Sequence, residues 1–270
     1  MRRFLSVLLL TASLAFPLAA QTASGSLVLS TTTSVQITGL LDVLLPAFQE
    51  ATGIQVRPIA VGTGKAFELA RNGDADAVLA HSRALEDRFI ADGFGTNAWD
   101  LMYNDFLLLG PAGDPAGAAT ARSAGEAFQA IASSGQPFAS RGDQSGTHQR
   151  ELDLWQAAGT RPAGAAYLET GQGMAETLQL AFEKKGYTLC DRATWLFMRQ
   201  KLPLAVIYEN PAELKNSYAI MAVSQEKVPT AKTGLANRLV AWVTGPEGQQ
   251  IIASFTIDGE PLFHLSVGKR

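Results

Sequence analysis

Short apolar runs alternate with helix-type patterns along most of the chain. Short apolar runs bounded by glycine or polar residues are typical of buried strands, whereas apolar residues three and four positions apart are typical of amphipathic helices. In the first part of the chain this pattern predicts strands at residues 27–30, 55–60 and 77–80, with helices near residues 38–52 and 64–72. Such alternation predicts a βαβαβ unit with a parallel sheet.

A second α/β unit follows the apolar run at residues 106–109, which ends in a segment rich in glycine and proline. We predict that this segment carries the chain out of one body and into another. The expected elements of the second unit are helices near residues 123–132, 147–158, 174–185 and 193–201, and strands at residues 138–140, 187–189 and 204–208. A strand at residues 218–223 then returns to the first body, with helices near residues 235–243 and 246–254 after it. Two crossings between two α/β lobes predict a hinged clamp.

The pattern divides the chain into a leader and two lobes. Residues 1–20 combine a short basic start, an apolar run and small residues, as in a cleavable signal peptide, and their arginine pair leaves twin-arginine export open as an alternative. We expect residues 24–110 and 218–270 to form the first lobe and residues 111–217 to form the second. The apolar run is shorter than the roughly 20 residues of a membrane span, so we expect a periplasmic protein without membrane insertion.

Charge, cysteine and histidine content narrow the function class. A net charge of -3 and a pI of about 5.7, with no basic stripe, argue against nucleic acid or a membrane surface as partner. Cys190 is the only cysteine, so no internal disulfide forms, and we expect it to be buried. The histidines, His81, His148 and His264, lack the paired spacing of a zinc site. We therefore expect a monomer without metal or cofactor.

Four segments place hydroxyl or glycine residues directly before a predicted helix: residues 30–34, 61–64, 141–147 and 170–173. Free backbone N–H groups, short hydroxyl donors and the positive end of a helix dipole together favour an anion there. One such segment alone is usually an ordinary helix N-cap or turn. Four of them, two in each predicted lobe, indicate an anion-binding cleft.

Arg141 is the sharpest single candidate because it precedes the Ser145–Gly146–Thr147 turn. Its guanidinium can supply the one full positive charge that a dianion needs in addition to dipoles. The alternative is a surface salt bridge, for example with Asp143.

Two other chemistries fit the motifs less well. Lys65 follows glycines, but the spacing of a phosphate-binding loop is absent. Ser145 and His148 resemble a nucleophile and base, but they lie three residues apart with no third group to orient them. A periplasmic serine hydrolase is therefore the less favoured alternative to a binding protein, and we expect no enzyme activity.

Six longer segments resemble the tungstate-binding proteins of the TupA type, which serve ABC importers: residues 31–34, 39–48, 61–64, 102–106, 140–148 and 167–174. The likeness extends from about residue 27 to about residue 263. It implies the type II periplasmic binding-protein fold: two α/β lobes, each a sheet flanked by helices, hinged by two crossing strands, with the ligand between them. By family, the expected partners are an ABC permease and its ATPase.

The resemblance also selects the ligand residues within the four segments. Arg141 and the Ser145–Gly146–Thr147 turn look like the arginine and Ser-Gly-Thr loop of phosphate-binding proteins in the same superfamily. The implied ligand residues are Thr32, Thr33, Ser34, Thr63, Arg141, Ser145, Gly146, Thr147, Thr170 and Gly171.

The residues alone indicate a tetrahedral oxyanion. Phosphate at neutral pH carries a proton that needs an acceptor, whereas tungstate, molybdate and sulfate need only donors. A cage rich in donors suits the second group, although Asp143 is an acceptor that phosphate can use. Tungstate is preferred by the resemblance, with molybdate, sulfate or phosphate as alternatives.

Overall fold

A computed structural model of the chain describes residues 25–270; the predicted signal peptide lies outside the described residues. Helices and strands alternate as the sequence pattern indicates. The elements are β1 (Gly25–Thr32), α1 (Thr33–Ile37), α2 (Leu40–Thr52), β2 (Ile54–Val61), α3 (Thr63–Asn72), β3 (Ala77–Ala80), α4 (Arg83–Ala91), β4 (Gly95–Gly110), α5 (Ala124–Ser134), β5 (Phe138–Ser140), α6 (Gly146–Ala158), β6 (Tyr167–Glu169), α7 (Met174–Glu183), β7 (Thr188–Asp191), α8 (Arg192–Met198), β8 (Ala205–Tyr208), β9 (Lys215–Val223), α9 (Thr233–Val243), α10 (Pro246–Ser254), β10 (Thr256–Ile257), β11 (Glu260–Pro261) and β12 (His264–Lys269).

The strands of the main sheet run in the order β12-β4-β9-β3-β1-β2, and β7 and β8 also pair with β4. Strand β1 pairs in parallel with β2 and with β3, which confirms the predicted βαβαβ unit. The returning strand β9 pairs antiparallel with β3 and β4, so the sheet is mixed. A separate parallel pair, β5 and β6, lies in the second half of the chain.

Strand β4 connects the two lobes. It is 16 residues long. Leu101 and Met102 in its first half pack with residues of β1, β2 and α2, whereas Phe106 and Leu108 pack with residues of α5, α6 and β7. Strand β9 returns beside it, with Lys215 opposite Asp105. Two adjacent strands therefore cross between two separate cores, as in a hinged clamp.

Each lobe is a sheet with helices on both faces. In the first lobe, α2, α9 and α10 pack on one face around Phe48 and Leu239, and α3 and α4 pack on the other around Phe67 and Phe89. In the second lobe, alternate residues of β4 serve opposite faces. Cys190 is fully buried there, as expected. No helix between residues 25 and 270 has the length and apolar composition needed to cross a bilayer.

All four hydroxyl- or glycine-rich segments lead into helices at the carboxyl ends of strands. Thr32 caps α1 by accepting a hydrogen bond from Val35 N–H, and Ser145 caps α6 in the same way from His148 N–H. Helices α3 and α7 follow Gly62 and Gly173, which have no side chain to cap them. Backbone N–H groups at these two starts therefore remain available for a ligand.

Candidate anion-binding site

A cavity of about 570 Å³ lies between the two lobes. It receives residues from all four segments. Its lining consists of Thr33, Gly62, Gly64, Lys65, Glu68, Arg141, Asp143, Gln144, Gly171, Gln172 and Gly173. A smaller cavity adjoins it at Thr33 and Gln172 and also exposes Ser34. The segments that the sequence pattern singled out therefore meet in one cleft.

Arg141 supplies the positive charge of this cleft. Arg141 directly follows the short strand β5 and is only 4% exposed. Nε donates to the carbonyl oxygen of Gln172 at 2.8 Å, and Nη2 is paired with the Asp143 carboxylate. The remaining nitrogen, Nη1, has no hydrogen-bond partner among residues 25–270. The salt bridge with Asp143, which was the alternative to a ligand role, is formed, but it is buried and leaves one nitrogen of the guanidinium without a partner in the described structure.

The turn after Arg141 is held by its own polar groups. The other Asp143 oxygen accepts from Ser145 N–H at 3.1 Å, and His148 Nδ1 accepts from Gln144 N–H at 3.0 Å. Ser145 Oγ accepts from the main-chain N–H of His148 at 3.2 Å and makes no bond to its ring. These contacts orient the N-terminus of α6 toward the cleft.

Thr147, one residue into that helix, is 1% exposed. Its hydroxyl has no hydrogen-bond partner within the described part of the chain. A buried hydroxyl without a partner is costly and is uncommon in folded proteins unless a ligand or water satisfies it. The Thr147 hydroxyl is therefore a candidate hydrogen-bond donor to a ligand.

The first lobe contributes a chain of neutral groups. Thr32 Oγ1 and Ser34 Oγ lie 3.0 Å apart, and Ser34 Oγ lies 3.1 Å from Nε2 of His81. His81 Nδ1 in turn contacts the Asn216 side chain at 3.0 Å, at the start of β9. Thr33 is exposed at the cavity wall. No charged side chain takes part in this chain of contacts.

The lobes touch across the cleft at Gly146. Its N–H donates to Thr63 Oγ1 at 3.4 Å, a long hydrogen bond that joins the second lobe to the first. A Cβ at this position would overlap the carbonyl oxygen of His81. Only glycine therefore permits this approach between the lobes.

Thr170 supports the site from behind. Its hydroxyl contacts the carbonyl oxygens of Ser140 and Arg141, each at 3.1 Å, and Thr177 Oγ1 at 3.0 Å. Gly171 N–H also donates to the carbonyl oxygen of Arg141 at 2.9 Å. The fourth segment thus fixes the main chain at Arg141, and Gly171 lines the cavity with backbone.

A buried carboxyl group, Glu151, lies below the second-lobe loop. It accepts hydrogen bonds from Tyr167 Oη at 2.6 Å and Trp155 Nε1 at 3.0 Å. Tyr167 also contacts Ser140, the residue before Arg141. Burial raises the pKa of Glu151 from its ordinary value of 4.5 to about 7, although its hydrogen bonds act in the opposite direction. The support of the charged loop is therefore itself titratable near neutral pH.

Sequence reasoning gave no role to His81. It is 6% exposed and directly follows the buried strand β3 at the carboxyl edge of the sheet, as Thr33 follows β1. This position after a predicted strand was the feature of the sequence that could have identified His81 as part of the site. Lys65, by contrast, is exposed and pairs with Glu68 at 2.7 Å, as expected of a solvated helix residue. Clusters of three or more metal-ligating side chains do not occur among residues 25–270.

The chain resembles known proteins over most of its length. A family model described as a PBP superfamily domain matches residues 19–247. The tungstate-binding protein TupA of Peptoclostridium acidaminophilum is 39% identical over 251 residues, which are 92% of this chain and 88% of that protein.

Two solved structures have the same architecture. The tungstate ABC transporter structure from Geobacter sulfurreducens is 49% identical with a TM-score of 0.79, covering 85% of this chain and 98% of that one. The tungstate-binding protein TupA from Desulfovibrio alaskensis G20 is 40% identical with a TM-score of 0.77, covering 91% of this chain and 100% of that one. These likenesses confirm the expected type II periplasmic binding-protein fold. The chain belongs to the PBP superfamily and, within it, to the TupA family.

Proposed function

We propose that this protein captures a bare tetrahedral oxyanion, tungstate before others, in the cleft between its lobes. One observation carries the proposal: the second-lobe loop holds a buried arginine, Arg141, whose Nη1 has no partner in the described structure, and a buried Thr147 hydroxyl that has none either. Unsatisfied donors of this kind fit a ligand that only accepts hydrogen bonds. The proposed second-lobe ligand groups are Arg141, Ser145 and Thr147. Gly146 and Gly171, whose N–H groups donate to Thr63 Oγ1 and to the Arg141 carbonyl oxygen, shape the site together with Thr170.

The first lobe completes the cage with neutral donors. Thr32, Thr33, Ser34 and Thr63 stand at the starts of two helices that face the second lobe. Gly62 and Gly173 bring backbone N–H groups to the cavity wall because neither carries a side chain. Donors from both lobes engage one ligand only when the cleft is shut, so the anion favours the closed state.

The names of the relatives are the reason for proposing tungstate before related anions. The Peptoclostridium and Desulfovibrio relatives are tungstate-binding proteins by name. The Asp143 carboxylate is engaged by Arg141 and by Ser145 N–H, which leaves it less available to accept a proton from hydrogen phosphate. This favours bare dianions over phosphate.

Binding rather than catalysis is supported by the contacts of Ser145. Its oxygen accepts from a main-chain N–H, and the His148 ring accepts from Gln144 N–H. Neither side chain activates the other, as a nucleophile and base must. Turnover of an ester substrate that disappears in Ser145→Ala would overturn this part of the proposal.

The proposed setting follows from the relatives and the leader pattern. We infer a periplasmic monomer, exported through a signal peptide at residues 1–20. The closed form delivers its anion to the permease and ATPase of an ABC importer. We place the boundary between the lobes near Asn104–Asp105 in β4 and Lys215–Asn216 in β9, where the side chains change from packing in one core to packing in the other.

Calorimetric titration of the ligand-free protein tests the proposal. Tungstate should bind tightest among tungstate, molybdate, sulfate and phosphate, and phosphate should be weak. Tightest binding of sulfate or phosphate would show that the fold is right and the ligand is wrong.

A further inference from the structure

His81 links the ligand loop of the first lobe to the strands that cross between the lobes. Its ring stacks on Tyr218 with centroids 4.8 Å apart. Nε2 contacts Ser34 and Nδ1 contacts Asn216, whose amide also contacts Asn104 at 2.8 Å and Tyr218 Oη at 3.0 Å. A continuous chain of polar contacts thus joins the anion loop to β4 and β9.

The His81 ring is neutral at ordinary pH. Burial lowers its pKa to about 4, and the nearby Arg141 charge acts in the same direction, against the hydrogen bond of Asn216 and the charge of Asp143. A neutral imidazole has one N–H donor and one acceptor nitrogen. Which nitrogen holds the proton therefore decides what Ser34 can do.

With the proton on Nδ1, His81 donates to Asn216, and Nε2 must accept the Ser34 hydrogen. The 3.0 Å contact between Thr32 and Ser34 then requires the Thr32 hydrogen. Both hydroxyl hydrogens are used within the protein, and the anion would face oxygen lone pairs. This arrangement also leaves Asn104 Nδ2 buried without a partner in the described structure.

With the proton on Nε2, His81 donates to Ser34. The Thr32–Ser34 contact then uses one of the two hydroxyl hydrogens, and the other is free for the anion. The side-chain amides of Asn216 and Asn104 then rotate by 180°, which exchanges their nitrogen and oxygen atoms. Asn216 Nδ2 donates to His81 Nδ1, and Asn104 Nδ2 donates to Asn216 Oδ1. The Tyr218 hydroxyl lies beside both amides and supplies its hydrogen to an amide oxygen. The rotation gives the Asn104 N–H a partner and places the Asn104 oxygen in the buried position that has none.

We propose that His81 holds its proton on Nε2 in the ligand-bound protein and so turns the Thr32–Ser34 pair into a donor for bare oxyanions. This inference rests on the proposed function. A bare dianion only accepts hydrogen bonds, so it binds more tightly to the arrangement that releases a hydrogen and shifts the population toward it. A protonated anion gains less because one of its oxygens carries a hydrogen and needs an acceptor rather than a donor. His81 is thus a positioning residue for selectivity.

Two His81 variants, measured by calorimetry, separate this role from packing. In His81→Asn the shorter amide can reach Asn216 but not Ser34, and tungstate affinity should fall by a few-fold, as for the loss of one neutral hydroxyl donor. In His81→Gln the amide N–H can take the place of Nε2–H, and part of the affinity should return. In a Ser34→Ala background the His81→Asn change should cost much less, because the hydroxyl that it orients is gone. An equal loss in both backgrounds would show that His81 acts only through packing.

Nitrogen-15 NMR of histidine-labelled protein reads the proton position directly. The sequence has three histidines, so His148→Gln and His264→Gln variants assign the His81 signals. At neutral pH with tungstate saturation confirmed by calorimetry, we expect a protonated Nε2 and a bare Nδ1. Tungstate binding with the proton on Nδ1 contradicts this inference and leaves the proposed function standing. Absence of tungstate binding overturns both.

Discussion

The two lobes present different chemistry to the same cleft. The second-lobe loop carries a buried ion pair, Arg141 with Asp143, supported by the titratable Glu151. The first-lobe loop carries neutral hydroxyls joined through His81 to Asn216. The second lobe thus supplies the buried charge, whereas the Thr32–Ser34 loop of the first lobe supplies neutral donors. The exposed Lys65 of the first lobe also lines the cavity, but it is paired with Glu68. Substitutions in the second-lobe loop should therefore reduce tungstate affinity more than substitutions in the first-lobe loop do.

The largest expected effect is the loss of the charge itself. Arg141→Ala should weaken tungstate binding by at least about tenfold, from roughly 1.5 to 3 kcal/mol for a hydrogen bond to a charged group, and more because Asp143 is left unpaired. Arg141→Lys should recover only part, since an ammonium lacks the planar fork of donors. Calorimetry measures both.

The matched control is Arg83→Ala. Arg83 is a half-exposed arginine that pairs with Asp100 at 2.9 Å and lines a different cavity. Its removal should leave tungstate affinity unchanged. Equal losses for the two arginines would mean that the charge acts at long range and that the site is misplaced.

Removal of the second-lobe hydroxyl should separate affinity from stability. Thr147→Val keeps the shape of the side chain and should weaken tungstate binding by up to about tenfold, because a hydrogen bond to a charged acceptor is lost. The ligand-free protein should be no less stable, because that hydroxyl has no partner in the described structure. Thermal unfolding with and without tungstate checks both; a lower midpoint without ligand would indicate an internal role instead.

The first-lobe hydroxyl at the cavity wall should matter less. Thr33 is exposed, and a neutral hydroxyl contributes less than a charge-assisted guanidinium donor. Thr33→Ala should therefore weaken tungstate binding by only a few-fold, about 0.5 to 1.5 kcal/mol. A loss as large as that of Arg141→Ala would erase the contrast between the lobes.

The smallest effect on affinity is expected at Glu151, where the readout is the pH dependence of stability. Its pKa is raised from 4.5 to about 7, so between these values the folded state holds a proton that the unfolded state has released. The stabilising contribution of protonated Glu151 to the free energy of unfolding is fully present below about pH 4.5. It is lost as pH rises through about 7, by up to about 1.4 kcal/mol per pH unit.

Glu151→Gln should remove that dependence, so the difference in unfolding free energy between wild type and variant should fall as pH rises across this window. His81 makes stability change with pH in the opposite direction: its pKa is lowered to about 4, so its contribution to the free energy of unfolding increases as pH rises. Denaturant unfolding at several pH values measures the difference. A difference that stays constant with pH would show that Glu151 titrates normally.

Much of the fold followed from local pattern. Apolar runs such as residues 77–80 are fully buried, so they stand out in the sequence and became β3. Residues 95–105 of β4 were missed because polar residues interrupt them. Among these are Asp100 and Asn104, which pair with a neighbouring strand and do not form an apolar run. Long-range pairing decides such a strand, and single-sequence periodicity does not report it.

The sequence predicted which four segments meet at the cavity between the lobes, but not the contacts among them. Hydroxyl and glycine residues before helices are local signals, so the four segments were found. Contacts between segments distant in the sequence were not: Thr170 bonds behind Arg141, and His81 meets Asn216 across 135 positions. Those contacts depend on the way β3, β4 and β9 come together in the folded sheet.

Crystals of the tungstate complex, with anomalous scattering recorded at a tungsten absorption edge, test the central claim most directly. We predict one strong tungsten peak between the lobes, within hydrogen-bonding reach of Arg141 Nη1 and Thr147 Oγ1 on one side and of the Thr32–Ser34 loop on the other. A peak bound by only one lobe, or one in the separate cavity near Arg83 and Lys215, would contradict the two-sided site.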